Sequence, residues 1–173
     1  MNLPNKLTLL RISLVPVCLV LAALALYPWA AGVFILAAVT DALDGHIARK
    51  NGLITNFGKF ADPIADKILV LSMMIVLCWQ SLVPVWLPII LTFRELAVDG
   101  LRMVAAEHGQ VVAAGWSGKV KTVSQIVLIV WALVLGGGTW TVALSAVVAA
   151  ITVYSGVEYF WKLRGLFRKD LGK

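Results

Sequence analysis

Charge is scarce in this chain. Asp, Glu, Lys and Arg make up 14% of its 173 residues, and 9 acids face 15 bases. A water-soluble domain carries about a quarter charged residues, so the soluble globular classes are excluded. Histidine and cysteine occur only twice each, which leaves no sulfur and nitrogen donor set for zinc. Cys18 and Cys78 stand inside apolar runs and read as small core hydrophobes. Also absent are an internal repeat, a low-complexity linker and a small-residue cleavage site after the first apolar run, Leu9 to Tyr27. One domain over residues 1–173 is therefore expected, with no cleavable signal peptide.

What fills the chain instead is hydrocarbon, with 61% hydrophobic residues. A bilayer core takes about 20 apolar residues per helical span. Turn signals divide the sequence into six such stretches, over 7–27, 30–50, 56–80, 85–107, 117–135 and 139–163. The connectors Pro28-Trp29, Ser81 to Pro84 and Gly136-Gly137-Gly138 carry no charge, whereas almost every basic residue falls near the opposite face. The positive-inside bias makes that face cytoplasmic, with both termini inside. Trp29, Trp79, Trp86 and Trp140 gather at the outer ends of the spans, and Trp116 and Trp161 at the inner ends. The basic tail from Lys162 reads either as the inside anchor of the last helix or as an attraction to anionic lipid. The expected fold is all-α, a polytopic membrane protein of six transmembrane helices.

Against that background four aspartates stand out. Asp41, Asp44, Gly45 and Ala48 share one face of the second helix by their offsets of three, four and seven. Gly58, Asp62 and Asp66 recur every four residues on the third. A short loop joins the two helices, so the faces can meet near the inner surface. Four converging carboxylates repel and cannot all stay ionised without neutralisation. Lys59 and Lys67 supply some positive charge, but a lysine cannot be shared among four acids. Mg2+ or Mn2+ can, being hard cations that prefer oxygen ligands, and one or two ions balance the site. The competing reading, caps and ion pairs at a solvated interface, suits Asp41 or Asp62 alone better than two regular pairs. Gly45 and Gly58 either let a ligand approach the backbone or let helices pack closely. Arg49 is either a phosphate clamp or an inside anchor. His46 lies off the aspartate face, and His108 falls in an inner connector.

The pattern D-x-x-D-G-x-x-A-R, eight residues, then G-x-x-x-D-x-x-x-D resembles the signature of the CDP-alcohol phosphatidyltransferase family. All eight fixed positions are filled here within 26 residues: Asp41, Asp44, Gly45, Ala48, Arg49, Gly58, Asp62 and Asp66. Four further stretches resemble a bacterial branch of the family: "NLPNKLTLLRI", "FRELAVDGLR", "GKVKT" and "SGVEYFWK". That branch transfers the phosphatidyl group of CDP-diacylglycerol to sn-glycerol 3-phosphate, giving phosphatidylglycerol phosphate and CMP. The resemblance implies six transmembrane helices around a polar cavity open to the cytoplasm, usually as a homodimer, in the bacterial inner membrane. It further implies that Asp41, Asp44 and Asp62 hold two divalent ions, and that Asp66 is the general base and a possible second-metal ligand. Thr40, Gly45, Ala48, Arg49 and Gly58 are then expected to meet the nucleotide. Thr8 and Arg11, one turn apart on the first helix, face either that ligand or lipid headgroups.

An acceptor with a dianionic phosphate needs a cationic pocket, for which Arg94, Arg102, Lys119 and Lys121 are the candidates. Arg94 and Glu95 lie deep in a span, where ionisable residues are functional by default. An internal ion pair of Arg94 with Glu95 or Asp99 is the plain alternative, and inside anchors are the alternative for the other three. Other acceptors within the family remain open: inositol phosphate, serine or phosphatidylglycerol. An intramembrane prenyltransferase normally spreads its paired motifs further apart. An ion-coupled transporter places carboxylates nearer mid-membrane and is built on repeats. No nucleic-acid partner is expected.

Overall fold

The computed structural model describes the backbone of residues 3–50, 56–109 and 115–170, with side chains over 5–40, at 58, and over 61–109 and 115–165. Six helices account for nearly all of it: α1 Leu3–Ala23, α2 Tyr27–Lys50, α3 Asn56–Trp79, α4 Trp86–Glu107, α5 Trp116–Leu135 and α6 Thr139–Asp170. No strand occurs among the described residues.

Among the described residues, three stretches are long and apolar enough to cross a membrane: Asn5–Ala23, Trp116–Leu135 and Thr139–Gly165. Tyr27–Thr40 forms a shorter apolar stretch. The helices are greasy on the outside as well as within. Phe93, Trp140 and Tyr154 are exposed on the surface, while Phe34, Met73, Leu77, Leu91 and Ile129 are sealed in the interior. A helix apolar all round is a helix solvated by lipid. Hydrocarbon outside and inside leaves little hydrophobic drive between helices, so close packing and polar contacts must fix their arrangement.

Among the described residues, α1 packs along both α2 and α3, whereas α2 and α3 touch each other only slightly. The two aspartate helices therefore share α1 as a common neighbour. α4 and α5 both pack on α6, and α3 touches α4 and α5. The buried Cys18 thiol donates to the Ala30 carbonyl at 3.4 Å, joining α1 to α2.

Two helix ends differ from the sequence expectation for a definable reason. α1 stops at Ala23 rather than at 27, because Ala25 adopts φ 57° and Leu26 N–H reaches back to Leu21 O at 2.9 Å. That is the Schellman closure, which glycine ordinarily supplies. Ser81 closes α3 the same way, with φ 58° and Leu82 N–H on Leu77 O at 2.9 Å. Pro28, expected in a connector, sits in the first turn of α2, where its missing N–H costs nothing. α6 runs on to Asp170, beyond the expected 163.

The two ends of the bundle are unlike. At one end the α3–α4 and α5–α6 turns meet backbone to backbone. A side-chain carbon on Gly137 would stand 3.1 Å from Leu82 Cα and 3.1 Å from Ser81 O, so any larger residue would press the two turns apart by a few tenths of an ångström. The Gln80 amide donates to Ala23 O at 2.9 Å and secures the end of α1 to the same region. The ionisable residues gather toward the other end.

Candidate active site

α3 carries two of the four signature aspartates in described positions. Asp62 and Asp66 are half-buried, one turn apart, with Ala61 and Ala65 buried beside them and Gly58 buried one turn earlier. The Thr8 hydroxyl, itself buried on α1, donates to Asp62 Oδ1 at 2.6 Å. Arg11 follows one turn later on α1 and is fully buried. Neither Thr8 nor Arg11 faces the surface, so the headgroup alternative for this pair does not match their placement.

Asp41, Asp44, Gly45, Ala48 and Arg49 belong to α2, but their side chains lie outside the described residues. His46 and Lys59 also lie outside them. Thr40 is the last described side chain on that helix. It is buried, with its hydroxyl donating to Ala37 O at 2.7 Å within its own helix. Among the described residues no three acid, histidine or cysteine side chains cluster as a metal site. The donor chemistry nonetheless fits a hard cation: Asp62 and Asp66 offer carboxylate oxygen alone, and the Thr8 hydrogen bond orients one of those oxygens.

The second part of the site is built on α4, α5 and α6. Glu95 is 6% exposed and lies between two buried cations. Lys121 Nζ donates to Glu95 Oε1 at 2.5 Å, and Arg94 Nη1 donates to the same oxygen at 3.1 Å. Arg94 Nη2 donates to Ser155 Oγ on α6 at 2.6 Å. Arg94 thus pairs with Glu95, and the Asp99 partner considered for it is taken by Lys67 of α3. The Lys67–Asp99 pair ties the signature helix α3 to α4, and α3 also packs on α5, so the two parts of the site are neighbours. Two cations around one carboxylate leave a net charge of +1 at the centre of this group.

Arg102 lies two turns from Arg94 on α4 and donates through Nη2 to the Tyr159 hydroxyl at 2.7 Å. Lys119 does not join the cluster. It is exposed, with its ammonium 5.3 Å from the centre of the Trp116 ring. Residues 119 and 121 are two apart on a helix and so point to different faces. Ser155 and Tyr159 were not singled out by sequence reasoning. Their signal was present in the i, i+4 polar spacing within the otherwise apolar α6.

Long helices with apolar exteriors define the class of an integral membrane protein. A family model described as CDP-alcohol phosphatidyltransferase matches residues 1–155 of this chain. A Bacillus subtilis (strain 168) protein named CDP-diacylglycerol–glycerol-3-phosphate 3-phosphatidyltransferase is 44% identical, over 93% of this chain and 94% of its own length. An Escherichia coli (strain K12) protein of the same name is 37% identical, over 91% of this chain and 92% of its own. A probable phosphatidylglycerophosphate synthase of Mycobacterium tuberculosis (strain ATCC 25618 / H37Rv) is 41% identical, over 91% of this chain and 79% of its own. The chain belongs to the CDP-alcohol phosphatidyltransferase family.

Proposed function

We propose that this protein is a phosphatidylglycerophosphate synthase. It transfers the phosphatidyl group of CDP-diacylglycerol to sn-glycerol 3-phosphate, releasing CMP and forming phosphatidylglycerol phosphate for phospholipid biosynthesis. The observation that carries the reading is the packing of α3, with Asp62 and Asp66, against α4 and α5, which hold the buried Lys121–Glu95–Arg94 group. A carboxylate able to take a proton thereby adjoins cations able to hold a phosphate.

Asp41, Asp44, Asp62 and Asp66 would hold Mg2+ or Mn2+, as two ions, on an all-oxygen donor set. Once bound, such ions neutralise the pyrophosphate and the leaving CMP phosphate. Within the chain, the Thr8 hydroxyl fixes the Asp62 carboxylate. Asp66 accepts the proton of the acceptor's 1-hydroxyl as that oxygen attacks the phosphatidyl phosphorus and the bond to CMP breaks. Arg94, Arg102 and Lys121 hold the acceptor's phosphate. Thr40, Gly45, Ala48, Arg49 and Gly58 line the nucleotide side, with Arg11 behind Thr8. Lys119, on the other face of α5, is left out of this assignment. The protein spans a bacterial inner membrane six times as a homodimer, with both termini and the polar cavity on the cytoplasmic side.

Purified protein in detergent is expected to release CMP from CDP-diacylglycerol only with both glycerol 3-phosphate and Mg2+ or Mn2+ present. Asp66→Asn is expected to abolish that release while the protein stays monodisperse. Near-normal turnover in Asp66→Asn would remove the base assignment. Faster turnover with inositol phosphate, serine or phosphatidylglycerol would move the protein to another branch of the family.

A further inference from the structure

Tyr159, on α6, touches both arginines of the cationic half of the site and has no role in the chemistry described so far. Its side chain is buried, at 2% exposure. The Arg102 guanidinium carbon lies 5.1 Å from the ring centre and the Arg94 guanidinium carbon 5.6 Å from it. Two guanidiniums two turns apart on α4 thus flank one ring, close enough for cation–π attraction that burial strengthens. The hydroxyl accepts from Arg102 Nη2 at 2.7 Å and from the backbone N–H of Gly115 at 3.3 Å. Gly115 is the N-cap of α5 and receives no side-chain cap there. Tyr159 therefore binds the entry of the helix that carries Lys121.

The same contacts leave donors open. Among the described residues, Arg94 Nε and Arg102 Nε are buried with no hydrogen-bond partner. A buried guanidinium N–H without an acceptor is costly unless something else supplies one. An anionic oxygen is the chemistry that matches. Gly156, beside Ser155, would with a side-chain carbon stand 3.2 Å from Arg94 Cγ, so α6 presses on Arg94 from this side as well.

We infer that Tyr159 is a positioning residue for the acceptor phosphate: its ring stations Arg94 and Arg102, and its hydroxyl sets the start of α5 relative to both. The inference rests on the acceptor reading above and assigns that function to a side chain outside the aspartate signature. Tyr159→Phe keeps the ring and removes the hydroxyl, whereas Tyr159→Leu removes both. In the CMP-release assay, the KM for glycerol 3-phosphate is expected to rise about tenfold in Tyr159→Phe, from the loss of a hydrogen bond to a charged group. A larger rise, roughly a hundredfold, is expected in Tyr159→Leu, with the KM for CDP-diacylglycerol unchanged in both. Equal changes in the two KM values would mark simple loosening of the bundle and overturn the inference. So would a glycerol 3-phosphate KM within twofold of the unaltered protein in Tyr159→Phe, which decides the matter even if Tyr159→Leu does not fold. Failure of the unaltered protein to use glycerol 3-phosphate at all would instead bring down the acceptor reading, and this inference with it.

Discussion

Thr8 is small, uncharged and buried, yet its hydroxyl reaches Asp62 at 2.6 Å across two helices. A carboxylate held from behind keeps its remaining lone pairs aimed in a fixed direction, as an outer-shell partner does for a metal ligand. Thr8→Val preserves the shape and removes the donor. The expected result is a loss of about 10–100-fold in Mg2+ affinity or activity, read from a Mg2+ titration of CMP release. A titration curve that overlays the unaltered one would contradict this. At this scale the sequence was informative where chemistry repeats locally: aspartates four residues apart declare a shared face. It was silent about Thr8 meeting Asp62, 54 positions away, because no periodicity links residues on different helices. Ala25 was illegible for another reason. Nothing in an alanine announces the left-handed conformation that ends α1, which packing and two backbone hydrogen bonds impose.

At the scale of elements, the polar half of the site is a set of inter-helix ties. Lys67 joins α3 to Asp99 on α4, Lys121 joins α5 to Glu95 on α4, and Arg94 joins α4 to Ser155 on α6. Breaking a buried pair by removing one partner costs about 3–5 kcal/mol, because the other charge is left uncompensated. Glu95→Gln strands two cations and should lower the melting temperature in detergent markedly. Glu95→Gln with Lys121→Met, which removes one of those cations, should recover part of the loss in a double-mutant cycle. Additive losses would show that the pair contributes nothing as a pair. The six helices themselves were readable from hydropathy and turn signals, and most of their ends were right to within a few residues. The ties were not, since Lys67 to Asp99 and Lys121 to Glu95 follow from how helices are arranged in space. That arrangement also places α1 against both aspartate helices, a neighbour that the spacing of the aspartates does not reveal.

For the whole molecule, an apolar exterior predicts retention in the membrane through alkaline washing and release only by detergent. The contrast between its two ends says something further. Where the turns around Gly137 and Leu82 meet, main chain lies against main chain, and there is no flexible side chain to rearrange. At the opposite end the helices are tied by charged and hydroxyl-bearing side chains, whose hydrogen bonds can be exchanged one at a time. The protein is therefore built like a pair of tongs, riveted at one end and sprung at the other. Substrate-dependent motion should be confined to the sprung end. Hydrogen exchange is the measurement: amides around residues 81–82 and 136–138 should keep one protection level with or without CDP-diacylglycerol, while the first turns of α5 change. Tongs of this kind turn a slight shift at the rivet into a large one at the tips, so a defect near Gly137 should be felt at Asp62 and Lys121, at the far end of the bundle.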